Sequence, residues 1–160
     1  MPRKTKIASD KTAIVAGIPR ACVHEEIARD FLETLLWGTS PACPKCGDTA
    51  VYQMMDRKTG KRQADGRWRC RGCKQQYTVR TGTIMEDSRI PLQYWCYAFW
   101  KACSSKKGVS ALQIKRETGL SYKSALFLMH RVRFAMTEPP QRPLKGTVEV
   151  DETYVGGKPR

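Results

Sequence analysis

The chain has 160 residues, 41% of them hydrophobic, and sets 29 Lys and Arg against 15 Asp and Glu for a formal net charge of +14. That length holds one ordinary domain or two or three small ones, and the absence of any apolar run long enough to cross a bilayer excludes a membrane partner from the reading. The apolar residues fall in separate blocks on either side of a cysteine-rich stretch, so the expected fold class is α+β, assembled from small modules without one large core.

Residues 1–20 mix charges with Gly17 and Pro19 without a clear period, and read as a flexible arm. From Cys22 to Trp37, Ile27, Phe31, Leu32, Leu35 and Leu36 recur at helical spacing and Gly38 supplies a stop, which predicts an amphipathic helix. The His24-Glu25-Glu26 opening superficially resembles that of a zinc-protease helix, but Ala28 stands where the second histidine is needed. His24 is therefore read as a surface or capping residue.

Two tight pairs follow, Cys43-Pro44-Lys45-Cys46 and Cys70-Arg71-Gly72-Cys73. A two-residue gap lets both thiolates of a pair bind one tetrahedral ion, and an S4 ligand set selects zinc over harder cations. Gly47 and Gly72 beside the pairs are expected to let the backbone curl around the metal. Two disulfides would need an oxidising compartment, but no apolar signal segment leads the chain and seven cysteines leave an odd total, so reduced cytosolic thiols fit better. A redox pair lacks its βαβ context. Cys22, Cys96 and Cys103 read as small buried hydrophobes.

The segments Val51–Met54, Arg67–Arg69 and Gln76–Arg80 are β-prone, and the polar stretch Asp56–Gly66 reads as a mobile hairpin tip. So sparse a sheet is expected to fold only when metallated, making zinc a structural cofactor. Lys45, Arg69, Arg71 and Lys74 can offset the anionic zinc centre. Arg57, Lys58, Lys61, Arg62 and Arg67 exceed that need, and the first four are candidate DNA contacts.

After Pro91, the stripe Leu92, Trp95, Cys96, Phe99 and Trp100 predicts a core helix. Ser110 then caps a short helix, Gly119 ends it, and Ser121 caps a longer one carrying Ala125, Leu126, Leu128, Met129, Val132 and Phe134. This outlines a helix-turn-helix whose second helix would present Ser121, Tyr122, Lys123 and Ser124 to a DNA major groove, with a plain helical hairpin as the competing reading. His130 and Arg131 are placed for backbone contact or solvent.

Pro139, Pro140 and Pro143 mark a linker, and Thr147–Asp151 alternates as a strand does, with Glu149 and Asp151 on one face. Taken alone, Asp151 is a solvated turn residue. The expected division is an arm over 1–20, helix plus zinc ribbon over 21–83, a helix-turn-helix region over 84–136, a linker over 137–146 and the start of another domain over 147–160.

The strings CPKCG, CRGCKQQYTVRTGT, SSKKGVSALQIKRETGLSYKSA and VEVDETYVGGK, in that order over residues 25–158, resemble the N-terminal part of bacterial insertion-sequence transposases with a zinc ribbon, a helix-turn-helix and a DDE-type, RNase H-like (ISXO2-like) nuclease domain. The resemblance implies that Cys43, Cys46, Cys70 and Cys73 hold zinc, that the helix from Ser121 reads element-end duplex DNA, and that Asp151 is the first acid of a magnesium-binding catalytic triad. Because the sequence stops at Arg160, this short chain is expected to bind DNA without cleaving it, with magnesium relevant only to a full-length form. Expected partners are the terminal repeats and either full-length transposase or a second copy, in the cytoplasm at the nucleoid. The alternative reading is a zinc-ribbon transcription regulator or a repressor of transposition.

Overall fold

A computed structural model describes residues 11–137, which form a mixed α+β structure of five helices and one small antiparallel sheet. Helix α1 (Lys11–Ala21) occupies much of the stretch expected to be a flexible arm. Gly17 and Pro19, read as breakers, are used otherwise. A Cβ on Gly17 would lie 3.0 Å from two ring carbons of Phe31, so glycine is what lets α1 approach the second helix. Pro19 lies within the last turn and removes one backbone donor there, and the helix ends two residues later at Ala21.

Helix α2 (Glu25–Trp37) has Glu25 and Glu26 in its first turn, favourable to the helix dipole, and ends at Gly38, whose φ of 61° only glycine adopts readily. His24 sits exposed at its N-cap position and makes no side-chain cap bond. The sheet comprises β1 (Val51–Gln53), β2 (Trp68–Cys70) and β3 (Gln76–Tyr77) in the order β1-β2-β3, with Val51 opposite Cys70 and Trp68 opposite Tyr77.

Three helices follow: α3 (Leu92–Ser104), α4 (Ala111–Thr118) and α5 (Tyr122–Met136). The expected caps are present. Ser110 Oγ accepts from Gln113 N at 3.1 Å, Ser121 Oγ accepts from Ser124 N at 3.1 Å, and Gly119 closes α4 in the left-handed conformation at φ 73°.

The core departs from the expected string of small modules. Ala21 from α1, Ala28 and Leu32 from α2, Val79 beyond β3, Trp95 and Ala98 from α3, Ile114 from α4 and Leu128 and Val132 from α5 belong to one buried cluster. The boundary drawn after residue 83 therefore divides the sequence but not the core, because α2 packs on α3. Among the described residues, Cys43, Cys70 and Tyr77 form a separate small cluster around the cysteines. The expected linker over 137–146, beyond Thr137, and the strand containing Asp151 lie outside the described residues.

Candidate metal centre and cationic surfaces

The two cysteine pairs occupy equivalent turns. Cys43 N donates to Asp48 O at 2.9 Å and Cys70 N to Gln75 O at 3.1 Å, each reaching five residues ahead and bending the chain back over its own thiols. In each turn the residue after the second cysteine has a left-handed backbone: Gly47 at φ 77° and Lys74 at φ 61°. The expectation that Gly72 provides this freedom is thus corrected. Gly72 instead leaves room for the Asp48 carboxylate, whose Oδ2 a Cβ there would approach to 2.6 Å and push aside.

The turns bring all four sulfurs within 4.8 Å of one another, with Cys43 to Cys73 and Cys46 to Cys70 each at 3.6 Å. A tetrahedral ion about 2.3 Å from each sulfur sets the sulfurs about 3.8 Å apart, so the cluster fits a structural zinc site with all positions filled by protein. Cys43 and Cys70 are buried while Cys46 is exposed, so one edge of the site meets solvent. Burial raises the Cys43 thiol, but hydrogen bonding from the amides of Cys46 and Lys45 and the neighbouring thiols outweighs it and brings the pKa down to about 7. That favours the thiolate a metal requires.

Helix α2 supports this centre. Trp37 at its end meets Trp68 and Tyr77 edge-on, with ring centroids 5.8 and 5.7 Å away. Glu33 accepts from Trp68 Nε1 at 3.1 Å and pairs with Arg62, whose other nitrogen reaches Asp30 at 3.0 Å. Arg80 donates to the carbonyls of Ser88 and Ile90, both at 2.8 Å, and contacts Glu25 at 3.4 Å. Glu25 also accepts from Gln93 N at the start of α3. Apart from the Arg80 bonds to Ser88 and Ile90, these ties join residues 29 to 68 positions apart, which is why the sequence did not show them.

Of the candidate DNA contacts in the ribbon, Arg62 is committed to Asp30 and Glu33 inside the protein, which corrects its assignment to a free cationic surface. Arg57, Lys58 and Lys61 are exposed at the tip. That tip is a hydrogen-bonded turn: Asp56 accepts from Lys58 N at 3.1 Å, Thr59 Oγ1 at 3.0 Å and Gly60 N at 2.9 Å. On α5, Ser121, Tyr122 and Lys123 are exposed, while Ser124 is half-buried beside the cap. Lys115 and Arg116 expose further positive charge on α4. Arg131, expected at backbone or solvent, instead donates to Ile84 O at 2.8 Å and stacks on Phe127, 4.5 Å from its centroid.

The remaining cysteines separate. Cys96 is buried, which pushes its thiol up to about 12, with Cys22 and Glu25 adding to the effect. Cys22 is half-buried and Cys103 is exposed, so a uniform reading of all three as buried hydrophobes does not hold. Asp151 lies outside the described residues. Among the described residues no helix is long and apolar enough to cross a membrane.

Comparison with known proteins follows the same outline. Residues 23–76, which contain α2, all four cysteines and the sheet as far as Gln76, match the transposase zinc-ribbon domain of the IS1595 type. Over 133 residues the chain is 29% identical to an uncharacterized protein in transposable element ISH50 of Halobacterium salinarum, an alignment covering 83% of this chain and 42% of that protein. No solved structure matches. The two likenesses agree with the four-sulfur geometry: this chain is similar to the zinc-ribbon-bearing portion of insertion-sequence transposases.

Proposed function

We propose that this chain is the DNA-recognition portion of a DDE-type insertion-sequence transposase and binds the terminal repeats of its element as duplex DNA. The observation carrying this reading is the fixed joining of a transposase-type zinc ribbon to a capped α4–turn–α5 unit through one helical core. Helix α5 would enter the major groove with Tyr122 and Lys123 near its leading end, where base edges are distinguishable. Ser121 and Ser124 set the start of that helix, since their hydroxyls lie 2.9 Å apart at the cap. Lys115 and Arg116, with Arg57, Lys58 and Lys61 on the ribbon tip, would neutralise phosphates.

Strand cleavage belongs in this proposal to an RNase H-like domain in which Asp151 is the first carboxylate holding magnesium. The zinc centre has another role. Four protein sulfurs leave no open position for substrate or water, so it supports shape rather than reaction chemistry. Full-length transposase or a second copy of this chain would be the protein partner, at the nucleoid.

Selection of bound duplexes from a random pool spiked with the native flanking DNA tests the reading. Enrichment of inverted terminal repeats is expected, with binding that weakens steeply as salt rises. Enrichment of a promoter instead would favour the regulator reading, and equal binding of all duplexes would overturn sequence-specific recognition.

A further inference from the structure

Two charged residues are buried among the described ones, Glu33, which pairs with Arg62, and Arg29, which makes no ion pair with any of them. It lies within α2 and is only 7% exposed. The ion pairs formed among the described residues leave it out: Arg62 takes Asp30 and Glu33, Arg67 takes Asp65 at 2.6 Å, Arg80 takes Glu25 at 3.4 Å and Lys101 takes Glu117. No hydrogen bond among those residues satisfies it either. A guanidinium does not lose its proton in a protein, and none of the Arg29 nitrogens is sealed from solvent without a partner, so the side chain carries its charge to the wall of the neighbouring cleft.

Arg29 is also specifically seated. Gly66, buried at φ +65°, places bare backbone against the Arg29 stem, and a Cβ there would lie 2.2 Å from Arg29 Cδ and 2.7 Å from Nε. Arg29 lines a solvent-open cleft of about 320 Å³ between α2 and the ribbon, together with Arg67, Arg80, Glu25, Asp65 and Thr78. A water occupies about 30 Å³ of liquid, so the cleft can admit a tetrahedral oxyanion with waters around it. With the two pairs offsetting each other, Arg29 leaves one positive charge uncompensated. Burial lowers the Arg80 pKa, Glu25 opposes that effect, and Arg29 adds to it, so two like charges face this cleft.

We propose that this cleft is an oxyanion-binding site that takes a phosphate group, with Arg29 as its principal ligand. The phosphate comes either from a nucleic-acid backbone or from a free ion. The backbone source deepens the DNA-binding reading and rests on it, whereas the free-ion source does not. The glycine at 66 is then a device that holds the guanidinium in place for its ligand.

The test uses zinc-loaded full chain, with Arg side-chain Nε–H resonances and melting temperature as readouts. Inorganic phosphate should shift the Arg29 resonance in the wild-type protein and raise its melting temperature, whereas Arg29→Met should lose the phosphate-dependent rise. In DNA binding, the slope of log affinity against log salt should fall by about 0.9 in Arg29→Met, one phosphate contact. An effect of phosphate without a change in that slope assigns the site to a free ion and supports it. Failure of the wild-type protein to bind duplex while phosphate still shifts Arg29 would defeat the DNA reading and leave this one standing. If neither phosphate nor duplex moves Arg29, the site is refuted, and this wild-type readout decides the matter even if a variant fails to fold.

Discussion

Around the cysteine centre only Cys43, Cys70 and Tyr77 are buried, with Trp37, Val51, Trp68 and Cys73 packed against them. In the helical body, by contrast, Trp95, Ile114, Leu128, Met129 and Val132 are all essentially inaccessible, and one cluster joins all five helices. The first region has too little apolar surface to offset its chain entropy, so a metal must contribute what packing does not. The second is held by burial and helix caps. The two are nevertheless joined, since Glu25 and Arg80 link α2, the end of the ribbon and the start of α3. The lesson is that parts stabilised by different chemistry can share one framework.

Removing the metal should have the largest effect. Structural zinc contributes about 10–16 kcal/mol in comparable small sites. Chelation or Cys70→Ser should therefore abolish amide-exchange protection over residues 43–80 while protection in α3, α4 and α5 survives. Simultaneous loss everywhere would show that the links through Glu25 and Arg80 make the two regions one cooperative unit.

The converse change strikes the helical body. Leu128→Ala removes a fully buried side chain and should cost about 2–5 kcal/mol, measured by denaturant unfolding. Zinc stoichiometry by elemental analysis should stay unchanged in the folded variant, and loss of zinc would erase the distinction between the regions.

Lys74→Gly acts on the ribbon in the opposite direction. It relieves a left-handed backbone at φ 61° and should stabilise the metallated turn by about 1 kcal/mol, read from the chelator concentration needed to extract zinc. The same substitution at Lys115, inside α4, should destabilise, because glycine costs helix stability.

A smaller effect is expected where α3 meets α4. Tyr97 Oη donates to Glu117 at 2.6 Å, Gln113 Nε2 donates at 3.1 Å and Lys101 Nζ at 3.2 Å. The Tyr97 bond, then those of Gln113 and Lys101, hold the Glu117 carboxyl below its ordinary 4.5 despite some burial. A carboxyl lowered in the folded state contributes stability above its unfolded pKa, and that stability is lost as pH falls through the folded value. Carboxyl-carbon NMR should give Glu117 a midpoint below 4.5 that rises in Tyr97→Phe, while the zinc ligands stay in place.

Residues close in sequence disclosed much of this. The CxxC spacings carried the metal site, Ser110, Gly119 and Ser121 marked α4 and α5, and Gly38 marked the end of α2, because turns and caps are set by a few adjacent residues. Gly17 and Pro19 misled for the same reason: both disfavour helix locally, yet Gly17 is needed for the approach of Phe31. Arg62 and Arg131 looked like free surface cations because their partners are remote in the chain. By itself the sequence determined the ligand chemistry, the helix caps and the excess of positive charge. Only tertiary structure decided that α2 braces the ribbon, that the five helices share one core, that Arg62 is tied up inside the protein and that Arg29 makes no ion pair among the described residues, since burial and ion pairing depend on distances in space that chain order does not encode.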